Sequence, residues 1–147
     1  MKTVVFFLEE ESAKVFLQGF ISRYFPAENE YIFISFEGKQ DLEKQLPRKL
    51  RGWQKANTNF IVLRDQDAGD CQIIKRKLFD ICRKAGKPEI LIRIACRELE
   101  SWFLGDLATV GTLYNIDNLS ILQRKRKFRD PDFLQHPDFE LKKITNS

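Results

Sequence analysis

Short apolar runs alternate with longer stretches of helical periodicity through the first two-thirds of the chain. Thr3 to Leu8 (T-V-V-F-F-L) is brief, continuous and rich in β-forming residues, which predicts a strand covered on both faces. Behind it, Ser12 is placed to cap a helix running to about Phe25. Phe16, Phe20 and Tyr24 and then Leu17, Ile21 and Phe25 follow i, i+4 spacing and form its broad buried face. Tyr31 to Phe36 (Y-I-F-I-S-F) predicts a second strand. The charged stretch from about Gln40 to Trp53 predicts a helix interrupted at Pro47. Phe60 to Leu63 is a third strand. Asp70 then caps an amphipathic helix carrying Ile74, Leu78, Ile81 and Cys82, ended by Gly86 and Pro88. Glu89 to Ala95 is a fourth strand. Strands alternating with helices indicate an α/β fold, a Rossmann-like sheet of about four mainly parallel strands sandwiched by helices.

After Cys96 the pattern changes. Arg97 to Asp106 reads as a short helix or an extended turn, and beyond Gly111 the chain is polar and weakly periodic. The expected organisation is a core domain over 1–107 and an irregular or helical C-terminal extension over 108–147, packed on the same domain or trailing from it.

Composition narrows the class. With 147 residues, 43% apolar and 13 Phe, the chain can bury a core without staples. Cys71, Cys82 and Cys96 are odd in number and share no C-x-x-C spacing, so neither a zinc pattern nor a disulfide framework is expected. No apolar run approaches the ~20 residues of a membrane span, and Met-Lys-Thr leads into a strand without a signal-peptide pattern. A cytoplasmic location is expected. G-x-x-x-x-G-K-[ST], G-x-G-x-x-G and G-x-S-x-G are all missing, which speaks against ATP hydrolysis, dinucleotide binding through those loops and a serine nucleophile elbow.

The strongest chemical signal is Asp65-Gln66-Asp67, directly after an apolar strand. Extended residues two apart share a face, so Asp65 and Asp67 are expected to converge, and two such carboxylates repel unless a cation sits between them. Glu9 ends the first strand in the same way. Ligands of parallel sheets bind beyond the carboxyl ends of the strands. Mg²⁺, or Mn²⁺, takes hard oxygen donors and commonly one or two carboxylates with substrate phosphate. The bland alternative leaves Asp67 capping the next helix and Asp65 and Glu9 solvated. Glu10 and Glu11 suit the positive end of the first helix better than a metal. Glu98 and Glu100 can both approach this edge if their segment is extended. If it is helical, positions two apart diverge by about 200° and at most one reaches it. Arg97 is a candidate phosphate contact, or else the ion-pair partner of Glu100.

The run Arg124, Lys125, Arg126, Lys127, Phe128, Arg129 holds five basic residues in six. It is a candidate contact to a nucleic-acid backbone, weighed against a solvated charged face. Arg48, Lys49, Arg51 and Trp53 form a weaker second candidate. Trp102 and Phe103 read as core, and His136 lies in the irregular tail.

Glu9 and the Asp65/Asp67 pair resemble the acids of the TOPRIM fold, the metal-binding domain of topoisomerases, bacterial primases and overcoming-lysogenization-defect nucleases. Glu10 stands where that pattern carries a Gly. More closely, the strand–Glu-Glu–x-Ser opening, the D-Q-D and the stretch Arg97-Glu98-Leu99-Glu100-Ser101-Trp102-Phe103-Leu104-Gly105-Asp106 resemble the bacterial family called domain of unknown function 4276. Members of that family often continue into a longer helical C-terminus. The resemblance implies a Mg²⁺-dependent phosphodiester enzyme, a nuclease, with Asp65 and Asp67 holding the metal. Glu9 would be a third ligand or the base, and Glu98, Glu100 and Arg97 would lie nearby. It also implies a separately encoded ATPase partner and a role in DNA repair or phage defence. Two rivals remain open: a non-catalytic regulatory or nucleic-acid-binding subunit of the same fold, and a receiver-like phospho-acceptor.

Overall fold

The computed structural model describes residues 1–95 and 97–146, so Cys96 lies outside the described residues. The chain forms two compact units, one of Met1–Arg64 with Gly69–Ile94, the other of Asp65–Ala68 with Ala95–Ser147.

The first unit carries β1 (Thr3–Leu8), α1 (Glu11–Tyr24), β2 (Glu30–Ser35), α2 (Lys39–Arg51), most of β3 (Thr58–Asp65), α3 (Cys71–Lys84) and most of β4 (Leu91–Ala95). The four strands make one parallel sheet in the order β2-β1-β3-β4. Register places Leu8 beside Ser35 on one side and Leu63 on the other. The expected α/β sheet is therefore present. Strand order reverses between β1 and β3, the switch point where open parallel sheets bind their ligands. Glu9 follows β1 at that end, half-buried, its carbonyl accepting from the Gly38 N–H at 2.9 Å.

One face of the sheet, with Val5, Phe7, Phe60, Val62 and Ile92, packs under Leu42, Leu46 and Leu50 of α2 and Ile74, Leu78 and Cys82 of α3. Phe7 stacks between Phe36 and Phe60. On the opposite face Phe6 stacks on Phe33 at 5.1 Å. The Cys82 thiol behaves as a small hydrophobe, and burial pushes its pKa up to about 11.

Three local expectations are corrected. The chain passes through Pro47 without a break, and α2 is one helix from Lys39 to Arg51. An interior proline costs about 3 kcal/mol. The stripe Leu42, Leu46, Leu50 spans it on both sides, fully buried, and each leucine contributes roughly 1.5–3 kcal/mol, so burial wins. Ser12 does not cap α1. The helix starts two residues earlier, with Glu10 at the N-cap in an extended conformation and Glu11 in the first turn, bonded to the Ser35 hydroxyl. That hydroxyl, helped by Lys14, holds the Glu11 carboxyl below its ordinary pKa. The buried face of α1 also ends early. Phe16, Leu17 and Ile21 are buried, whereas Tyr24 and Phe25 are exposed and gather with Phe20 and Tyr31 in an aromatic cluster.

Asp70 does cap α3, its Oδ1 accepting from the N–H groups of Gln72 at 2.8 Å and Ile73 at 3.1 Å. Asp70→Ala should destabilise the protein by about 1 kcal/mol, read as a lower urea midpoint at unchanged slope.

The second unit is helical where the sequence looked irregular: α4 (Glu100–Leu104), α5 (Leu107–Tyr114), a 3₁₀ turn (Leu119–Arg124), α6 (Arg126–Arg129), a second 3₁₀ turn (Pro131–Phe133) and α7 (Pro137–Thr145). The turn after α5 needs a glycine. A Cβ on Gly111 would lie 2.9 Å from the Ile116 carbonyl oxygen and 3.2 Å from the Leu119 Cβ. Gln123 ties the unit together. Its amide donates to the carbonyls of Leu104 and Phe128, at 2.9 and 2.6 Å, and accepts from the Leu107 N–H at 2.9 Å. Gln123→Leu strands three backbone groups, and a loss of about 2 kcal/mol should appear in chemical unfolding.

Candidate functional site

The two most distinctive stretches of the sequence, D-Q-D and R-E-L-E, are laced together within the second unit. The Gln66 N–H donates to the Ala95 carbonyl at 3.0 Å, and the Asp67 N–H donates to the Arg97 carbonyl at 2.6 Å. In return the Arg97 N–H donates to the Gln66 side-chain oxygen at 3.1 Å, and the Leu99 N–H donates to Asp65 Oδ1 at 2.6 Å. These four bonds fix both segments against one another, which neither sequence motif announces alone.

The lacing needs an unusual backbone. Asp67 sits at φ 52° and Arg97 at φ 60°, both left-handed. Aspartate tolerates that region because its short side chain can bond locally, whereas an arginine there is uncommon. The expectation that Asp65 and Asp67 share a face as extended residues is therefore corrected. Asp65 ends β3, but Asp67 lies in the following turn, exposed, so strand alternation does not relate the two side chains. Asp67 is not the cap of α3 either, since Asp70 takes that place.

Arg97 is exposed ahead of α4. The segment after it is neither one strand nor one helix: α4 begins at Glu100 with Leu99 at its N-cap, and Glu98 lies just ahead of it. Glu98 Oε2 accepts from the Asp138 N–H at 2.9 Å, at the first turn of α7, where no N-cap side chain serves. It acts as a cap supplied from a distant stretch of chain. Glu100 stands in the first turn of α4, half-buried.

Among the described residues no group of three or more His, Cys, Asp or Glu side chains is placed to hold a metal ion. A centre built on Asp65 and Asp67 would use two carboxylates, the number Mg²⁺ commonly takes with waters and substrate phosphate. These donors fit the ion in kind: they are hard oxygens, and the Leu99 N–H fixes the orientation of the Asp65 carboxylate.

Of the basic run, Arg124, Lys125, Arg126, Lys127 and Arg129 are exposed while Phe128 is buried and anchors α6. Lys127 Nζ lies 2.6 Å from Glu140. The weaker candidate loses its aromatic member: Trp53 Nε1 donates to Thr58 Oγ1 at 3.0 Å, and the ring meets Phe60 edge-on. Phe103 is core as expected, whereas Trp102 is 40% exposed. Sequence reasoning passed over Phe133, which is 80% exposed beside the basic run. The signal available was its place after Pro131, which starts a turn.

Among the described residues no helix is long and apolar enough to cross a membrane. No curated protein and no solved structure matches the chain. The family described as a domain of unknown function, DUF4276, matches residues 8–145, and the chain belongs to that family.

Proposed function

We propose that the protein is a Mg²⁺-dependent phosphodiester-cleaving enzyme, a TOPRIM-like nuclease, with Asp65 and Asp67 as the metal-holding carboxylates. The observation that carries this reading is the bonding between D-Q-D and Arg97–Leu99, which holds two acids and an exposed arginine in one small, left-handed backbone arrangement. Strained or sparsely populated backbone of this kind is held in place only where surrounding bonds over-determine it, and it concentrates at functional sites.

The roles follow from the chemistry of each group. Asp65, oriented by the Leu99 N–H, and Asp67 in the turn would hold the ion. The ion would neutralise charge on a phosphodiester and supply an activated water. Arg97 would contact a phosphate oxygen. Glu98 is committed to α7 and is proposed as a support of the segment and not as a ligand. Glu9 enters on the sequence pattern as a third ligand or as the base, and the Glu9→Gln variant tests that role separately. A role in DNA repair or phage defence beside an ATPase follows from the TOPRIM-like reading alone.

The direct test is incubation of labelled DNA and RNA oligonucleotides with the protein in Mg²⁺ or Mn²⁺, with chelator and Asp65→Asn as controls. Cleavage that needs the metal and disappears in the variant supports the proposal. Cleavage that survives both sinks it.

A further inference from the structure

The basic run does not trail free. Phe128 is buried and seats α6, so Arg126 and Arg129 project from a fixed helical turn, flanked by the exposed Arg124 and Lys125. Next in the chain, Pro131 opens the 3₁₀ turn that ends at Phe133, and the Phe133 N–H closes it on the Asp130 carbonyl at 3.3 Å. The Pro131 ring lies 3.8 Å from where a Cβ on Gly105 would stand, so the turn rests on the end of α4. Phe133 is left 80% exposed, and with Arg126, Lys127, Arg129, Asp130 and Leu134 it lines an open groove of about 650 Å³.

A single exposed phenylalanine needs no explanation. Here, however, it shares a groove with two arginines that have no ion-pair partner among the described residues, while the one lysine that is paired is held by Glu140. A cationic track beside a fixed aromatic platform is the arrangement that binds single-stranded nucleic acid, because phosphates follow the charges and a base stacks on the ring. A duplex presents phosphates but no free base face to such a ring.

We infer that Arg124, Lys125, Arg126 and Arg129 with Phe133 form a binding track for single-stranded nucleic acid, with the guanidinium groups of Arg126 and Arg129 on phosphates and one base on Phe133. The inference names the substrate class of the proposed nuclease and rests on that reading. Its test omits metal, so that the two can fail separately.

Anisotropy titrations of labelled oligothymidylate, oligouridylate and a duplex of mixed sequence are made in chelator over a series of salt concentrations. The wild type should bind the single strands more tightly than the duplex. Phe133→Ala should weaken single-strand binding roughly tenfold and leave duplex binding as it was. Arg126→Gln/Arg129→Gln should weaken both and flatten the salt dependence of single-strand binding by about 1.4 in slope. Asp130→Asn removes the one carboxylate lining the groove and should tighten binding slightly. All four side chains are exposed, so the variants should fold, which a melting curve confirms. Single-strand binding that Phe133→Ala leaves unchanged overturns the proposal. So does equal affinity for duplex, or loss of binding in these variants only towards vesicles of anionic lipid. A wild type that binds single strands through these residues yet never cleaves them keeps the track and ends the nuclease reading.

Discussion

Glu43→Ala should destabilise the protein by about 3 kcal/mol, the largest loss expected from any single surface-reaching side chain of the first unit. Glu43 on α2 accepts from Arg64 of β3 through one oxygen and from Lys77 of α3, at 2.6 Å, through the other. Arg64 is 9% exposed and its Nε has no hydrogen-bond partner among the described residues, so the guanidinium depends on this one carboxylate. Removing the acid leaves a buried cation uncompensated. Lys77 is exposed and contributes much less. The double variant Glu43→Ala/Arg64→Met should regain most of the loss, because replacing a buried pair by apolar groups is often neutral. Urea unfolding of Glu43→Ala, Arg64→Met and the double variant, set in a cycle with the wild type, measures this. Full additivity would mean that the pair carries no coupling.

The same pair sets an acid limit. Burial works to raise the Glu43 carboxyl, but Lys77 and Arg64 outweigh it and hold the group below its ordinary value of 4.5. A folded-state pKa below the unfolded one gives stability that is present above the unfolded value and is lost as pH falls through the folded value. The wild type should therefore lose stability below about pH 4.5, and Glu43→Gln should lose less over the same interval.

Asp65→Asn should lower metal-dependent cleavage by at least about 100-fold while the melting temperature stays close to wild type. Removing groups that merely support a ligand commonly costs 10–100-fold, and a ligand should cost no less. The asparagine oxygen can still accept from the Leu99 N–H, so the lacing of D-Q-D to Arg97–Leu99 survives. Asp65→Ala loses that acceptor as well and should unfold more easily by about 1–2 kcal/mol. The pair of variants separates a chemical role from a structural one. If Asp65→Asn cleaves as well as the wild type and only Asp65→Ala is weakened, then Asp65 is a structural acceptor and nothing more.

How much of this the sequence carried depends on the range of the interaction. The strand–helix alternation, the apolar face of α3 with Ile74, Leu78 and Cys82, and the Asp70 cap were legible because each is set by residues within a few positions of one another. The uninterrupted α2 was not, since the burial that overrides Pro47 comes from strands elsewhere in the chain. Glu98 looked like a site acid because its partner, the Asp138 N–H, lies 40 residues away. The D-Q-D motif was found for its acids, but alternation gave it the wrong geometry. Asp67 turns left-handed to meet the Arg97 carbonyl, a contact no local pattern encodes. Phe133 was missed because exposure of one aromatic in a polar stretch has no periodic signature. The helical second unit was obscured because its elements are short and held by Gln123 and by Glu98, not by a repeating apolar face.

The measurement that bears most directly on the central claim is calorimetric titration of Mn²⁺ and Mg²⁺ into the wild type and into Asp65→Asn/Asp67→Asn, with a short uncleavable phosphorothioate strand present to supply phosphate ligands. A metal centre on Asp65 and Asp67 gives saturable heat in the wild type that is absent from the folded double variant. Equal binding by both proteins, or none by the wild type even with the strand bound, would contradict it.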